Sequence, residues 1–294
     1  MLPLPKDPTN RVRLADWIEL GANLASNHSS SYGDLERALR RMALQELQTD
    51  EEIERKIAEV ADELGRRSIA AGSAYPYAVD SSVISAKRRS RQSIPYVFCL
   101  CLSYFGDRSQ SSSHIRPRRL FEDLSTVAAG NYLSGSGIRF GWPRKVISKA
   151  FREAVTSLCL SYIGEGLQFR EQPTLSSKDS RLDVVAWRDS PDRLPGKLLL
   201  FGACSSGHDW RNKLYELNPD SFCKKWMAEQ PASFVKAFFV PHMLEQLSWK
   251  HHSWDAGIIF DRCRIAFWAV NGTNRIDYSP YAQWAQFVLH TRHP

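Results

Sequence analysis

The chain has 294 residues, 43% of them hydrophobic and 24% charged, with a formal net charge of +7 and a pI near 9.1. This is the composition of a soluble globular protein with a substantial core, in one large domain or two smaller ones. No apolar run approaches the ~18 residues of a membrane span, the first eight residues lack the features of a secretory signal, and the mild basic excess admits a nucleic-acid partner without requiring one.

In chain order, residues 16–24 set Trp17, Leu20 and Leu24 on one face, the spacing of an amphipathic helix. After a polar loop at 26–32, residues 34–64 carry two apolar stripes, Leu35, Leu39, Met42 and Leu47, then Ile53, Ile57, Val60 and Leu64. Thr49 followed by Glu52 predicts a capping box that divides them into two helices, with Asp50, Glu51 and Glu52 at the positive end of the second. Residues 72–86 read as a turn-rich connection. Lys87, Arg88, Arg89 and Arg91 form a basic run, read as a solvated loop with phosphate contact as the alternative. Residues 94–105 are apolar and suit a core strand or a buried helix equally, and 109–114 read as a polar loop.

From Arg116 the pattern becomes α/β. Residues 117–133 predict a helix with Leu120, Phe121, Leu124, Val127, Ala128 and Tyr132 inward, ended by the Ser/Gly run at 134–137. A second helix is predicted over 147–163, closed by Gly164 and Gly166. Residues 182–187 and 197–204 are β-prone, joined by turn chemistry at Asp189, Pro191, Pro195 and Gly196. Residues 208–217 predict a helix and 234–240 a strand; 257–260 and 264–270 are short apolar runs, and 281–289 is amphipathic. The six cysteines (99, 101, 159, 204, 223 and 263) lie mostly within apolar segments and form no CxxC pair, which points to reduced buried thiols and a cytoplasmic setting. Zinc-finger, P-loop and dinucleotide fingerprints are absent, as is any internal repeat.

Hydrolysis of a phosphodiester needs a divalent cation, a source of hydroxide and positive charge to offset the phosphorane. Mg²⁺ takes oxygen ligands, usually one or two carboxylates with water and phosphate oxygens. Asp183 supplies a carboxylate near the start of the first β-run. The second run passes through Leu198, Leu199, Leu200 and Phe201 and breaks at Gly202, with Ala203 twenty positions beyond Asp183, room for a hairpin. Glu122 lies on the helix before them.

A glutamate-bearing helix followed by a strand hairpin resembles, over residues 117–240, the layout of PD-(D/E)xK (restriction-endonuclease-like) nucleases. The segment 201–213 is similar to members in which glutamine replaces the second-motif glutamate and a lysine on the following helix reaches back into the site. The resemblance implies an α/β fold, a restriction-endonuclease-like mixed sheet flanked by helices over 93–294, behind a helical N-terminal accessory domain over 1–92. It implies a Mg²⁺- or Mn²⁺-dependent DNA endonuclease of prokaryotic antiviral defence, with DNA as partner, a further protein or a second copy of the chain, and no membrane. Carried onto this chain, Asp183 is a metal ligand together with the Cys204 carbonyl, Glu122 an auxiliary acid, and Lys213, four residues after Asp209, the charge-neutralising cation. Ala203 stands at the second acid and Ser205 at the usual lysine, so such a site binds metal weakly and cuts slowly. The chain is then a degenerate nuclease, or one carrying an inactivating substitution at 203.

Each residue also has a plainer reading. Asp183 can cap a turn or pair with Arg181, Glu122 and Lys213 can be solvated, and Cys204 with His208 lacks a third residue for thiol catalysis. His251, His252 and Asp255 read as a polar loop, and His208 and Asp209 as a helix start. Arg116, Arg118 and Arg119 before the Glu122 helix, with Trp142, Arg144 and Lys145 after Gly141, form a candidate nucleic-acid face. The rival to catalysis is a binding module that keeps the nuclease fold to hold nucleic acid or a partner subunit.

Overall fold

The structure, a computed structural model, describes residues 2–5, 7–46, 49–87, 90–107, 115–144, 147, 150–164 and 181–291, with backbone alone at 43–46. Arg88, Arg89, the 109–114 loop, Lys145 and Gly166 lie outside the described residues. The β-prone runs pair as a hairpin at the centre of a mixed five-stranded sheet. β5 (Val184–Arg188) lies antiparallel between β4 (Ser136–Arg139) and β6 (Leu198–Cys204). β6 runs parallel to β7 (Ser233–Phe239), which is parallel to β8 (Ile258–Phe260).

Alternation along the strands divides their side chains between two cores. Val184, Ala186, Leu200, Ala237 and Phe239 face one, and Val185, Trp187, Leu199, Phe201 and Phe238 the other. β6 is covered on both faces, which is why it reads as a continuous apolar run. Gly202 does not break that strand: it pairs with Val184 at the end of the β5–β6 ladder and with Ala237 inside the β6–β7 ladder. A Cβ there would come within 2.6 Å of the Phe239 ring, so the glycine marks a close approach.

Helices cover both faces. The first core is built from α1 (Arg11–Leu24), α2 (Tyr32–Glu46), α3 (Asp50–Ala71), α4 (Ile94–Phe105), α5 (Pro117–Tyr132), α9 (Arg262–Val270) and α10 (Ser279–Thr291), with a small antiparallel sheet of β1 (Ser29–Ser31), β3 (Val83–Ala86) and β2 (Tyr77–Val79). It runs without interruption from Leu2 to Leu289, so residues 1–92 and the rest of the chain share it. The second core lies under α6 (Phe151–Ser157), which continues as a π-helical turn over Leu158–Ile163, and α7 (Pro219–Trp226).

The capping box forms as expected: the Thr49 side chain accepts from Glu52 N, and Glu52 reaches back to the Thr49 N–H. Residues 94–105 are a helix, with Pro95 in the first turn, where its missing N–H costs nothing. The helix expected over 208–217 is only a 3₁₀ turn at Trp210–Lys213. His251 and His252 lie in α8 (Gln246–Ala256) rather than in a loop.

One buried polar cluster ties the N-terminal helices to the sheet. Arg67 of α3 donates to Asp16 at 2.7 Å, Glu19 at 2.9 Å and Glu63 at 2.8 Å. Arg262, at the start of α9, brackets the Asp16 carboxylate at 2.8 and 3.0 Å and donates to the Pro241 carbonyl at 3.1 Å. Tyr75 and Tyr96 hydroxyls donate to Glu19 at 2.9 and 2.8 Å. Burial works against the Asp16 carboxylate, yet Arg262 and Arg67 hold its pKa below the ordinary value, whereas burial prevails at Glu19 and raises it.

Both guanidiniums are fully enclosed, and an enclosed charge that loses its partner is costly. Arg262→Met is therefore expected to destabilise the chain by about 3–5 kcal/mol in urea unfolding, with part of the loss recovered in the Asp16→Leu, Arg262→Met pair. A single-variant loss below about 1 kcal/mol, the level of an exposed pair, would count against the cluster as a structural lock.

Candidate functional site

Asp183 sits just before β5, where three strands meet. Its N–H donates to the Gly202 carbonyl at 2.9 Å, and its carbonyl accepts from Phe140 and Gly141 at 2.7 and 3.1 Å. With the backbone pinned on both sides, the side chain projects at the strand end, and Oδ2 accepts the Cys204 N–H at 2.8 Å. Glu122 arrives from α5, which is anchored on either side by buried Phe121 and Leu124. The two carboxylates meet at Gly141: a Cβ there would lie 2.9 Å from both Asp183 Oδ1 and Glu122 Oε2. The two oxygens are thus no farther apart than twice that distance, and the glycine, having no side chain, lets both carboxylates pack closely against its backbone.

These residues open into a cavity of about 450 Å³ that also takes in Ala203, Ser205, Lys213, Arg118 and Arg181. Glu122, Asp183, Ala203 and Lys213, dispersed in sequence, thus line one space. Their states differ from expectation. Lys213 is engaged by Asp209 at 2.9 Å, and that ion pair holds the Asp209 carboxyl below its usual range. Arg181 pairs with Glu216 at 3.4 Å. Cys204 contributes its backbone N–H to Asp183, and its thiol is pushed well up by burial and by the charges of Asp183 and Glu122, so it is a poor nucleophile.

The cations expected on a nucleic-acid face are placed differently from one another. Arg118 is exposed at the cavity rim and pairs with Asp107. Arg119 stands beside it; burial and the neighbouring charges of Arg116 and Arg139 lower its pKa. Arg144 is a correction: it is 3% exposed and lies 4.6 Å over Phe140 and 5.5 Å from the Phe151 ring, a packed cation rather than a phosphate contact.

Sequence reading missed two contributors, Arg139 and Gly141, and noted Ser205 only as standing at the usual lysine. Buried Arg139 of β4 donates to Glu122 at 3.1 Å and pairs with Asp123 at 2.7 Å, fixing the glutamate from below. Its only signal was a charge inside an apolar run. Gly141 read merely as a turn. The Ser205 hydroxyl is buried with no hydrogen-bond partner among the described residues, while its N–H donates to Phe239 O at 2.9 Å.

Among the described residues, no group of three or more His, Cys, Asp or Glu side chains could hold a metal, which excludes a zinc-type cage there. The two neighbouring carboxylates that line the cavity are oxygen donors of the kind a hard cation takes, completing its shell with water and phosphate oxygens, although Glu122 Oε2 already accepts from Arg139. The orphaned Ser205 hydroxyl, lining the same cavity, is a further polar contact for water or substrate. No family model, curated protein or solved structure matches the chain.

The loop carrying Ser205 to Asp209 is steadied by His242. Its Nε2 lies 3.1 Å from the Gly207 carbonyl and its Nδ1 2.8 Å from the Ser103 hydroxyl. A neutral ring must donate from Nε2 to that carbonyl and accept from Ser103 at Nδ1. Burial, then the charges of His208 and Arg262, depress His242 from 6.5 to about 4. Between those values the unfolded chain binds a proton that the folded chain refuses, so stability falls as pH drops through this window. We expect a loss of up to about 3 kcal/mol from this group. In urea unfolding at about pH 7 and pH 4.5, His242→Asn should show a clearly shallower loss; an equal loss in variant and wild type would dismiss the assignment.

Proposed function

We propose that the chain is a PD-(D/E)xK-type nuclease that hydrolyses DNA phosphodiester bonds with Mg²⁺ or Mn²⁺, at a capacity limited by Ala203. The observation that carries the reading is the meeting of Glu122 and Asp183 against Gly141, with both carboxylates lining a cavity that Arg118, Arg181 and Lys213 also line. The chain order of a glutamate-bearing helix, an antiparallel β4–β5–β6 unit, further helix and a parallel β7 supports it. So does the position of Asp183 at the end of a paired strand, where a rigid scaffold presents the ligand.

Asp183 and Glu122 are the residues that would hold the cation, with the Cys204 carbonyl as a third oxygen. The cation, when bound, supplies Lewis acidity and a water of lowered pKa. Arg139 keeps the Glu122 carboxylate aimed at the cavity. Lys213 and Arg118 offset charge on the phosphate, Lys213 after exchanging Asp209 for substrate. Ser205 lacks the charge of the lysine it replaces and serves as a hydrogen-bond donor to water or phosphate.

Two observations favour the binding module as second reading. Ala203 contributes no oxygen to the cavity it lines, and Arg139 already occupies one oxygen of Glu122.

Ala203→Glu and Ala203→Gln put the missing oxygen into the cavity. On supercoiled DNA with Mg²⁺ or Mn²⁺, we expect nicking to rise about 100-fold or more, the usual scale of one directed electrostatic group, and to vanish when Asp183→Ala is added. If wild type and all variants stay inert on DNA and RNA, the catalytic reading is lost and the binding module stands.

A further inference from the structure

A second cavity of about 450 Å³ lies beyond the carboxyl ends of the parallel strands, the usual location of ligand crevices in such sheets. The segment after β6 divides its residues between the two spaces. Gly207, Asp209 and Lys213 line the candidate site, while His208, Trp210 and Arg211 line the second cavity. The first turn of α1 supplies the opposite wall through Asn10 and Arg13.

Of the two carboxylates in the lining, Asp16 is paired with Arg262 and Arg67, while Glu245 accepts from the neutral Asn10 amide at 2.9 Å and keeps its charge. Nearby, Asp7 accepts from Thr9, and Asp209 holds Lys213. Arg13 and Arg211 are exposed, and neither forms an ion pair among the described residues. The Arg211 guanidinium lies 4.6 Å over the Trp210 ring, which limits its rotamers and presents its edge. His208, also in the lining, is depressed by burial and by the charge of Arg13, against the opposing charge of Asp209.

We propose that this cavity binds a nucleoside phosphate, with Arg13 and Arg211 as the phosphate-gripping pair. Resting on the nuclease reading, the ligand is a phosphate of the strand that runs out of the Asp183 site across residues 207–211. Guanidiniums match phosphate with paired N–H donors, a cavity of this size suits a nucleotide unit, and the shared loop makes the two spaces consecutive along one path. A free nucleotide offers the same chemistry, so the test separates the two sources.

The measurement is fluorescence anisotropy of a labelled single-stranded oligodeoxynucleotide of about twelve residues, with the full chain in EDTA so that no cleavage intervenes. The pair Arg13→Gln, Arg211→Gln is expected to weaken binding about tenfold or more at low salt and to lower the log–log salt slope by about 1–2. Arg55→Gln, which removes an exposed cation of α3, should change neither by a comparable amount. Competition by millimolar deoxyadenosine monophosphate that disappears in the double variant assigns the cavity to free nucleotide; absence of competition assigns it to the strand. The proposal is overturned if wild type binds neither ligand, or if the correctly folded double variant keeps wild-type affinity and slope. Because binding is read without metal, an inert Ala203→Glu chain with an intact arginine effect removes only the nuclease reading. Cleavage without an arginine effect removes only this one.

Discussion

Five ionisable side chains buried among α1, α3 and α9, Glu63 of α3 among them, tie the first helix to the region after β8. Asp16 and Glu19 enter from the first helix, Arg67 from the third, and Arg262 from the turn where β8 gives way to α9. An arrangement of this kind contributes little net stability over an apolar core, but it tolerates few geometries, because each displaced partner leaves a charge without solvent. Its reach extends to the candidate site. Arg262 holds the Pro241 carbonyl, His242 follows, and the imidazole bridges α4 to the loop bearing Gly207. The position of that loop is therefore coupled to the packing of the N-terminal helices, which makes them part of the scaffold on which the site is built.

The site itself is a product of strand pairing. The β5–β6 register places Gly202 opposite Val184, so the Asp183 carboxylate falls beside the end of β6 and takes the Cys204 N–H. Two glycines make room: Gly202 under the Phe239 ring, and Gly141 between the carboxylates of Asp183 and Glu122. Any larger residue at 141 would press on both carboxylates. Beside this pair Ala203 adds no side-chain oxygen, and Arg139 donates to Glu122 Oε2.

Much of the local structure was legible. Thr49 and Glu52 announced a helix start through reciprocal capping, and the spacing of Leu120, Phe121 and Leu124 described α5 closely. The apolar runs at 182–187 and 197–204 announced paired strands. Less legible were segments whose fate depends on neighbours. Residues 94–105 are apolar all round and carry no period; only enclosure by α1, α9 and α10 makes them a helix. Residues 208–217 have helix-forming letters, but the turn relaxes to 3₁₀ geometry as Trp210 inserts into the second core. Arg144 looked like a surface cation because charge alone cannot reveal the aromatic rings that surround it.

The resemblance pointed to two acids, Asp183 and Glu122, and a cation, Lys213, and the three do line one cavity. Their electrostatic states were not legible, because partners such as Arg139 for Glu122 and Asp209 for Lys213 are chosen by where elements cross. The same holds for the cluster around Asp16, whose partners lie 51 and 246 positions away. Periodicity and capping act over a few residues and so reside in the sequence by itself. Burial of charge, the opening at Gly141 and the pairing of distant ions are properties of packed surfaces, and only the tertiary structure decides them.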